Sequence, residues 1–207
     1  MIDIQQEFLT LMHNGGPIMW VILFVACLAM IMLTWHGLKV VSFSKNAQRD
    51  YQQLKTGELH TRSSNSPIAQ LITTLNWNEL ESKNDITKEI SIQLAEITPK
   101  MEGSLATVAI LATLLPMLGL LGTVTGMINV FEAIAIHGSG KPDEMADGIS
   151  QALLTTASGL IIAIPVIFLH HLLSRRVDAL MTLTHQAIQL ILHRDIATLK
   201  EAYRHER

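Results

Sequence analysis

Charge is what this sequence has least of. Asp, Glu, Lys and Arg make up 16% of its 207 residues, hydrophobic residues make up 49%, and the mean hydropathy is +0.33. Soluble domains carry about 25% charged residues, so an ordinary soluble enzyme is excluded. The deficit is concentrated in three stretches, since residues 18–35, 103–131 and 148–174 contain no Asp, Glu, Lys or Arg. Uncharged apolar runs of about 18 residues or more can cross a bilayer as helices. Cysteine is nearly absent as well. Cys27 stands alone inside the first run, so one chain can build neither a disulfide nor a cysteine zinc site. A net charge of −3 with no basic domain argues against a nucleic-acid partner. No segment alternates apolar and polar residues as a half-buried strand does, and the expected fold class is all-α.

Lys and Arg are missing from residues 1–16, which hold Asp3 and Glu7. A secretory signal peptide needs a basic leading segment and a small-residue cleavage site. Neither is present, and the first run is expected to be an uncleaved anchor. Residues 36–102 hold eight Lys and Arg, the link 132–147 holds only Lys141, and the tail after Ser174 holds six. By the positive-inside rule the N-terminus and the link lie outside, and the middle segment and C-terminus lie in the cytoplasm. Trp20 and Trp35 bracket the first span as interfacial anchors.

The expected organisation is a periplasmic segment 1–16, spans at 17–36, 103–131 and 149–173, a cytoplasmic helical segment 37–102, a periplasmic link 132–148 and a cytoplasmic helix 174–207. Within the middle segment, Ile86, Ile90, Leu94, Ile97 and Met101 recur at helical steps. Ser66-Pro67 opens a shorter helix carrying Ile68, Leu71, Ile72 and Leu75, after a loop at 61–67. Beyond Arg176, the residues Val177, Leu180, Met181, Thr184, Ile188 and Ile191 continue a stripe. The second and third spans are therefore expected to extend as long helices into a cytoplasmic helical bundle. A turn is expected at 138–142, and residues 143–148 are expected to be a short entry turn to the third span. Ile2, Phe8, Leu9, Leu11 and Met12 suggest an amphipathic helix at the membrane surface, ended by Gly15-Gly16-Pro17.

The second span carries Gly119, Gly122 and Gly126, and the third carries Ala152, Thr156, Gly159 and Ala163 at three- and four-residue steps. In lipid, small residues let helix backbones approach closely. Simple helix packing accounts for the glycines. Thr123, Thr125, Asn129, Gln151, Thr155, Thr156 and Ser158 ask for more, because polar groups at membrane depth need partners. A threonine can satisfy itself on a carbonyl one turn back. A monomer would expose Gln151, Thr155, Thr156 and Ser158 to lipid unless they faced its own other spans, and three helices enclose little, so assembly is expected. Pro116 and Pro165 each remove one helix hydrogen bond and either kink their helices or are tolerated. No carboxylate lies in any span, so a titratable group has to come from a partner if the chain conducts protons. His170 and His171 point about 100° apart on a helix and suit a structural position at the boundary better than a metal pair.

Two stretches, Leu115-Pro-Met-Leu-Gly-Leu-Leu-Gly-Thr-Val-Thr-Gly-Met-Ile128 and Gly148-Ile-Ser-Gln-Ala-Leu-Leu-Thr-Thr-Ala-Ser-Gly-Leu-Ile-Ile-Ala-Ile-Pro165, resemble the ExbB/TolQ/MotA proton-channel family, and its ExbB-like branch in particular. With Met145 and the link 138–142, the resemblance covers about residues 90–172. It implies a bacterial inner-membrane motor subunit with no cofactor. Five copies would ring a pore lined by the second and third spans. A single-span ExbD-like partner would bring the titratable Asp, and a TonB-like protein would carry the motion outward. Thr123 and Thr156 match the pore-lining threonines of the family. Gln151 stands where enteric ExbB and TolQ proteins have Glu, and ExbB-like proteins of the second TonB type share the Gln. A TolQ-like role in envelope maintenance, energising of a secretion or gliding apparatus, and a non-conducting membrane scaffold are the alternatives. A flagellar stator of the MotA type fits less well, having four spans.

Overall fold

Long apolar runs with few breakers leave the backbone one way to satisfy itself in lipid, which is the helix. The structure, a computed structural model, describes residues 4–56, 66–74, 82–138 and 142–193. Among the described residues there are six helices and no strand: α1 (Ile4–Asn14), α2 (Gly16–Thr56), α3 (Pro67–Thr74), α4 (Lys83–Glu102), α5 (Leu105–His137) and α6 (Pro142–His193). Three of them, α2, α5 and α6, are long and apolar enough to cross a membrane. The chain divides into two units, Met1–Thr34 with Ser104–His171, and Trp35–Gly103 with Leu172–Arg207.

The first unit holds α1, α5 and the leading parts of α2 and α6. Its interior is built mostly from small or β-branched residues, among them Ile22, Ala26, Val108, Ala112, Ala152 and Val166. Many of its large residues point outward: Phe24 is 69% exposed, Phe131 64% and Ile161 68%. Water would penalise that surface by about 25 cal/mol per Å², whereas lipid does not. α1 stops where Gly15 N–H reaches Leu11 O at 3.0 Å and Gly16 adopts φ +68°. Met12 is buried, and Phe8, Leu9 and Leu11 are exposed.

The second unit is cored in a more ordinary way. Ile86, Ile90, Ile97 and Met101 of α4 are buried, as are Val177, Leu180, Thr184, Ile188 and Ile191 of α6. Ser82 caps α4 in a reciprocal box with Asp85. α3 starts at Pro67, whose missing N–H costs nothing in the first turn, and it buries Ile68, Ala69, Leu71 and Ile72. Ser66 Oγ accepts from Ala69 N–H at 3.0 Å and donates to the carboxylate of Asp50, itself 3% exposed on α2.

The entry turn expected at 143–148 is formed by the first turns of α6 itself. Pro142 opens that helix, and Asp143 and Glu144 follow in its first turn, where the helix dipole favours negative charge. One expectation is corrected: the second-span helix does not extend back into the middle segment. α5 begins at Leu105, and α4 ends before Gly103, whose φ 50° and ψ −128° no helix can contain. The first-span helix is the one that continues, with 41 residues in α2, alongside 52 in α6. Residues 61–65 of the expected loop, Leu75, 139–141 of the expected turn, Ile2 and the tail from 194 onward lie outside the described residues.

Candidate functional site

The densest polar content among the apolar helices lies where α5 and α6 pack, antiparallel, in the first unit. Glycines on α5 recur at three- and four-residue steps, so they share one face. A Cβ on Gly126 would stand 2.7 Å from Ala152 Cβ and 2.8 Å from Gly148 O. One on Gly159 would stand 2.7 Å from Leu115 O, and one on Gly119 would stand 3.1 Å from Thr156 Cα. At Gly122 it would overlap the side chain of Thr155. Backbone lies against backbone at three of the four positions, an approach larger residues forbid.

Thr156 bridges the two helices. Its hydroxyl donates to Gly119 O at 2.8 Å, the carbonyl that also accepts the N–H of Thr123 in the regular α5 ladder. Thr123 is half-buried, and its hydroxyl bonds Leu120 O at 2.6 Å. Both threonines therefore converge on the turn at Gly119. Thr125 satisfies itself on Leu121 O and Gly122 O. Thr155 is fully buried and bonds Gln151 O and Ala152 O within α6. Thr155 and Thr156 thus face another span of the same chain, the alternative to lipid exposure. Thr155 is enclosed opposite Gly122, and the proton of the Thr156 hydroxyl is taken up inside the protomer. Ser158 stays half-buried.

At the far end of the seam, Asn129 Nδ2 donates to Gln151 Oε1 at 3.2 Å. The pair borders a cleft of about 420 Å³ lined also by His13, Asn14, Glu144, Asp147, Gly148 and Ser150. Pro116 and Pro165 both lie inside continuous helices. His170 donates from Nε2 to Leu105 O at 3.1 Å, since a carbonyl can only accept. His171 is exposed.

Residue-by-residue reading of the sequence passed over two participants. Gly148 completes the seam, since a Cβ there would stand 3.1 Å from Gly126 O; a small residue four before Ala152 was the available signal. In the second unit, buried His36 donates to Met101 O at 3.2 Å. Met101 O is one of the terminal carbonyls of α4 that lack a helical partner.

The model of the MotA/TolQ/ExbB proton channel family matches residues 60–186. The biopolymer transport protein exbB1 of Vibrio cholerae is 40% identical over 91 residues, 44% of this chain and 40% of that protein. The Tol-Pal system protein TolQ of Pseudomonas aeruginosa is 31% identical over 116 residues, 55% of this chain and 50% of that one. The biopolymer transport protein ExbB of Pseudomonas putida is 24% identical over 186 residues, 80% of this chain and 56% of that one. The chain thus spans about half the length of these relatives or less.

Proposed function

The chain belongs to the MotA/TolQ/ExbB proton channel family, where it fits the ExbB-like branch, and we propose that it is an inner-membrane motor subunit that harnesses the proton motive force. In this proposal five copies form a ring with the α5–α6 seams facing its pore. A single-span ExbD-like partner supplies the Asp that takes up and releases the proton. A TonB-like protein passes the resulting movement to outer-membrane transport.

One observation carries the proposal. The α5–α6 seam is lined with hydroxyls and amides, while residues 103–131 and 148–174 offer no carboxylate or cation. Hydroxyls at membrane depth can stabilise a passing charge, as they accept from a protonated group and donate to an ionised one. They cannot themselves carry the proton at neutral pH. A seam of this kind calls for a titratable group from another chain. A TolQ-like envelope role is the second reading, favoured by the 31% identity to the Pseudomonas aeruginosa protein.

Co-purification with candidate single-span partners, followed by native mass measurement, tests the proposal. The expected result is a complex of five copies with a partner bearing an Asp in its span. A chain that stays monomeric in nanodiscs, or one that assembles without any such partner and conducts no protons, would favour the non-conducting scaffold. Rescue of an uptake defect rather than an envelope defect separates the TonB-linked role from the Tol-type role.

A further inference from the structure

The amide of Gln151, on α6, meets two other helices. Its oxygen accepts from Asn129 of α5 at 3.2 Å across 22 positions of sequence. Its other end lies against Gly16, the first residue of α2. A Cβ on Gly16 would overlap Nε2 and stand 3.1 Å from Gln151 Cδ. Gly16 also holds φ +68°, a conformation that side chains disfavour. The contact is therefore one that glycine alone supplies.

The two ends of a primary amide are chemically opposite, because the oxygen only accepts and the nitrogen only donates. Which end faces α5 is set by what α5 presents, and Asn129 presents a donor. Without that donor nothing on α5 distinguishes the two ends. The NH₂ would then be drawn into the cleft, where Glu144 and Asp147 carry negative charge and His13 lies beside them. Glu144 is also 3.7 Å from His137.

We propose that Asn129 is the positioning residue for Gln151, fixing its amide so that the oxygen faces α5 and the nitrogen faces Gly16 at the mouth of the α5–α6 seam. The proposal rests on Gln151 belonging to the proton path, as proposed above. Asn129 touches no transported proton in it and acts through Gln151.

The test compares Asn129→Leu, Gln151→Leu, the double variant, and the exchanged pair Asn129→Gln with Gln151→Asn, which moves one methylene across the bond and keeps its span. Thermal unfolding of each chain in detergent is measured beside proton flux of the co-purified complex in liposomes, followed with a pH-sensitive dye. Each single variant is expected to melt about 2–4 °C lower, the double no lower than the worse single, and the exchanged pair near wild type. Flux is expected to fall about two- to twelvefold in each single variant, the rate equivalent of one hydrogen bond, and to recover in the exchanged pair. Additive losses in melting, or an exchanged pair no better than Asn129→Leu, would overturn the positioning role. Coupled melting with full flux in Gln151→Leu would support the clasp and overturn the place of Gln151 in the proton path.

Discussion

A threonine hydroxyl has one proton to give, and that of Thr156 goes to Gly119 O. To donate to an ionised partner carboxylate, the hydroxyl must turn away from α5; to receive from a protonated one, it need not move. In the proposed motor the hydroxyl would alternate between holding the helices together and serving the proton. Thr156→Val keeps the shape and removes both functions. Losing the interhelical bond costs about 0.5–1.5 kcal/mol, small enough for normal insertion, against a driving force of roughly 2.3 kcal/mol per charge per 100 mV. We expect the Val variant to assemble, melt slightly lower and fail to energise transport, and Thr156→Ser to retain substantial activity. Packing alone predicts the reverse order, with Val mild and Ser worse, so an active Val with an impaired Ser would end the proton-path assignment. At Gln151 a carboxylate could still accept from Asn129, and Gln151→Glu is expected to assemble and remain active in an uptake assay. Loss of activity with intact assembly would show that neutrality matters beside Glu144 and Asp147.

Helix against helix, the same seam predicts a sharper response. A Cβ at Gly126 or Gly159 meets backbone atoms at 2.8 Å and 2.7 Å, which cannot rotate away. Overpacking of this kind costs about 1–3 kcal/mol, so Gly126→Ala and Gly159→Ala should each lower the melting temperature measurably, and Gly122→Leu or Gly126→Leu should disrupt assembly. Gly37 has open space around it, and Gly37→Ala should be neutral or slightly stabilising in the same measurement. The small-residue steps behind this contrast were legible in the sequence, as were the stripes of α4 and of the end of α6, because one residue type dominates each face. The face of α2 was not. Its buried residues Leu33, His36, Val40, Ala47, Asp50 and Leu54 keep helical spacing, but His36 and Asp50 hide the stripe from a search for apolar periodicity. Each of these two is buried because it bonds a distant group, Met101 O or Ser66 Oγ. The Asn129–Gln151 bond was hidden for the same reason, since both residues were visible and their meeting depends on how α5 packs on α6. The break at Gly103 was masked by its neighbours, because a glycine ahead of an apolar run reads as part of the span.

For the whole molecule, the three apolar helices could in principle be threaded through a bilayer in either direction, and the cationic residues decide between them. Residues 1–16 hold no Lys or Arg, residues 36–102 hold eight, residues 132–147 hold one, and the stretch after Ser174 holds six. Acidic residues contribute little to this choice, so Asp143, Glu144 and Asp147 in the link do not offset the count. Lys39, Arg175 and Arg176 weigh most, because they follow directly on apolar runs and the rule acts within about 15–20 residues of a span. By that rule residues 36–102 and the stretch after Ser174 are expected on the cytoplasmic side, and the cleft at Asn129 and Gln151 would then be periplasmic. Reporters fused after Gln5 or within 138–142 should therefore be active only as periplasmic fusions, and those at Arg62 or after Tyr203 only as cytoplasmic ones. A periplasmic signal at Arg62 would invert the molecule, placing the amide clasp at the cytoplasmic end of the seam. In the proposed motor, protons driven inward would then meet Thr156 before Gln151.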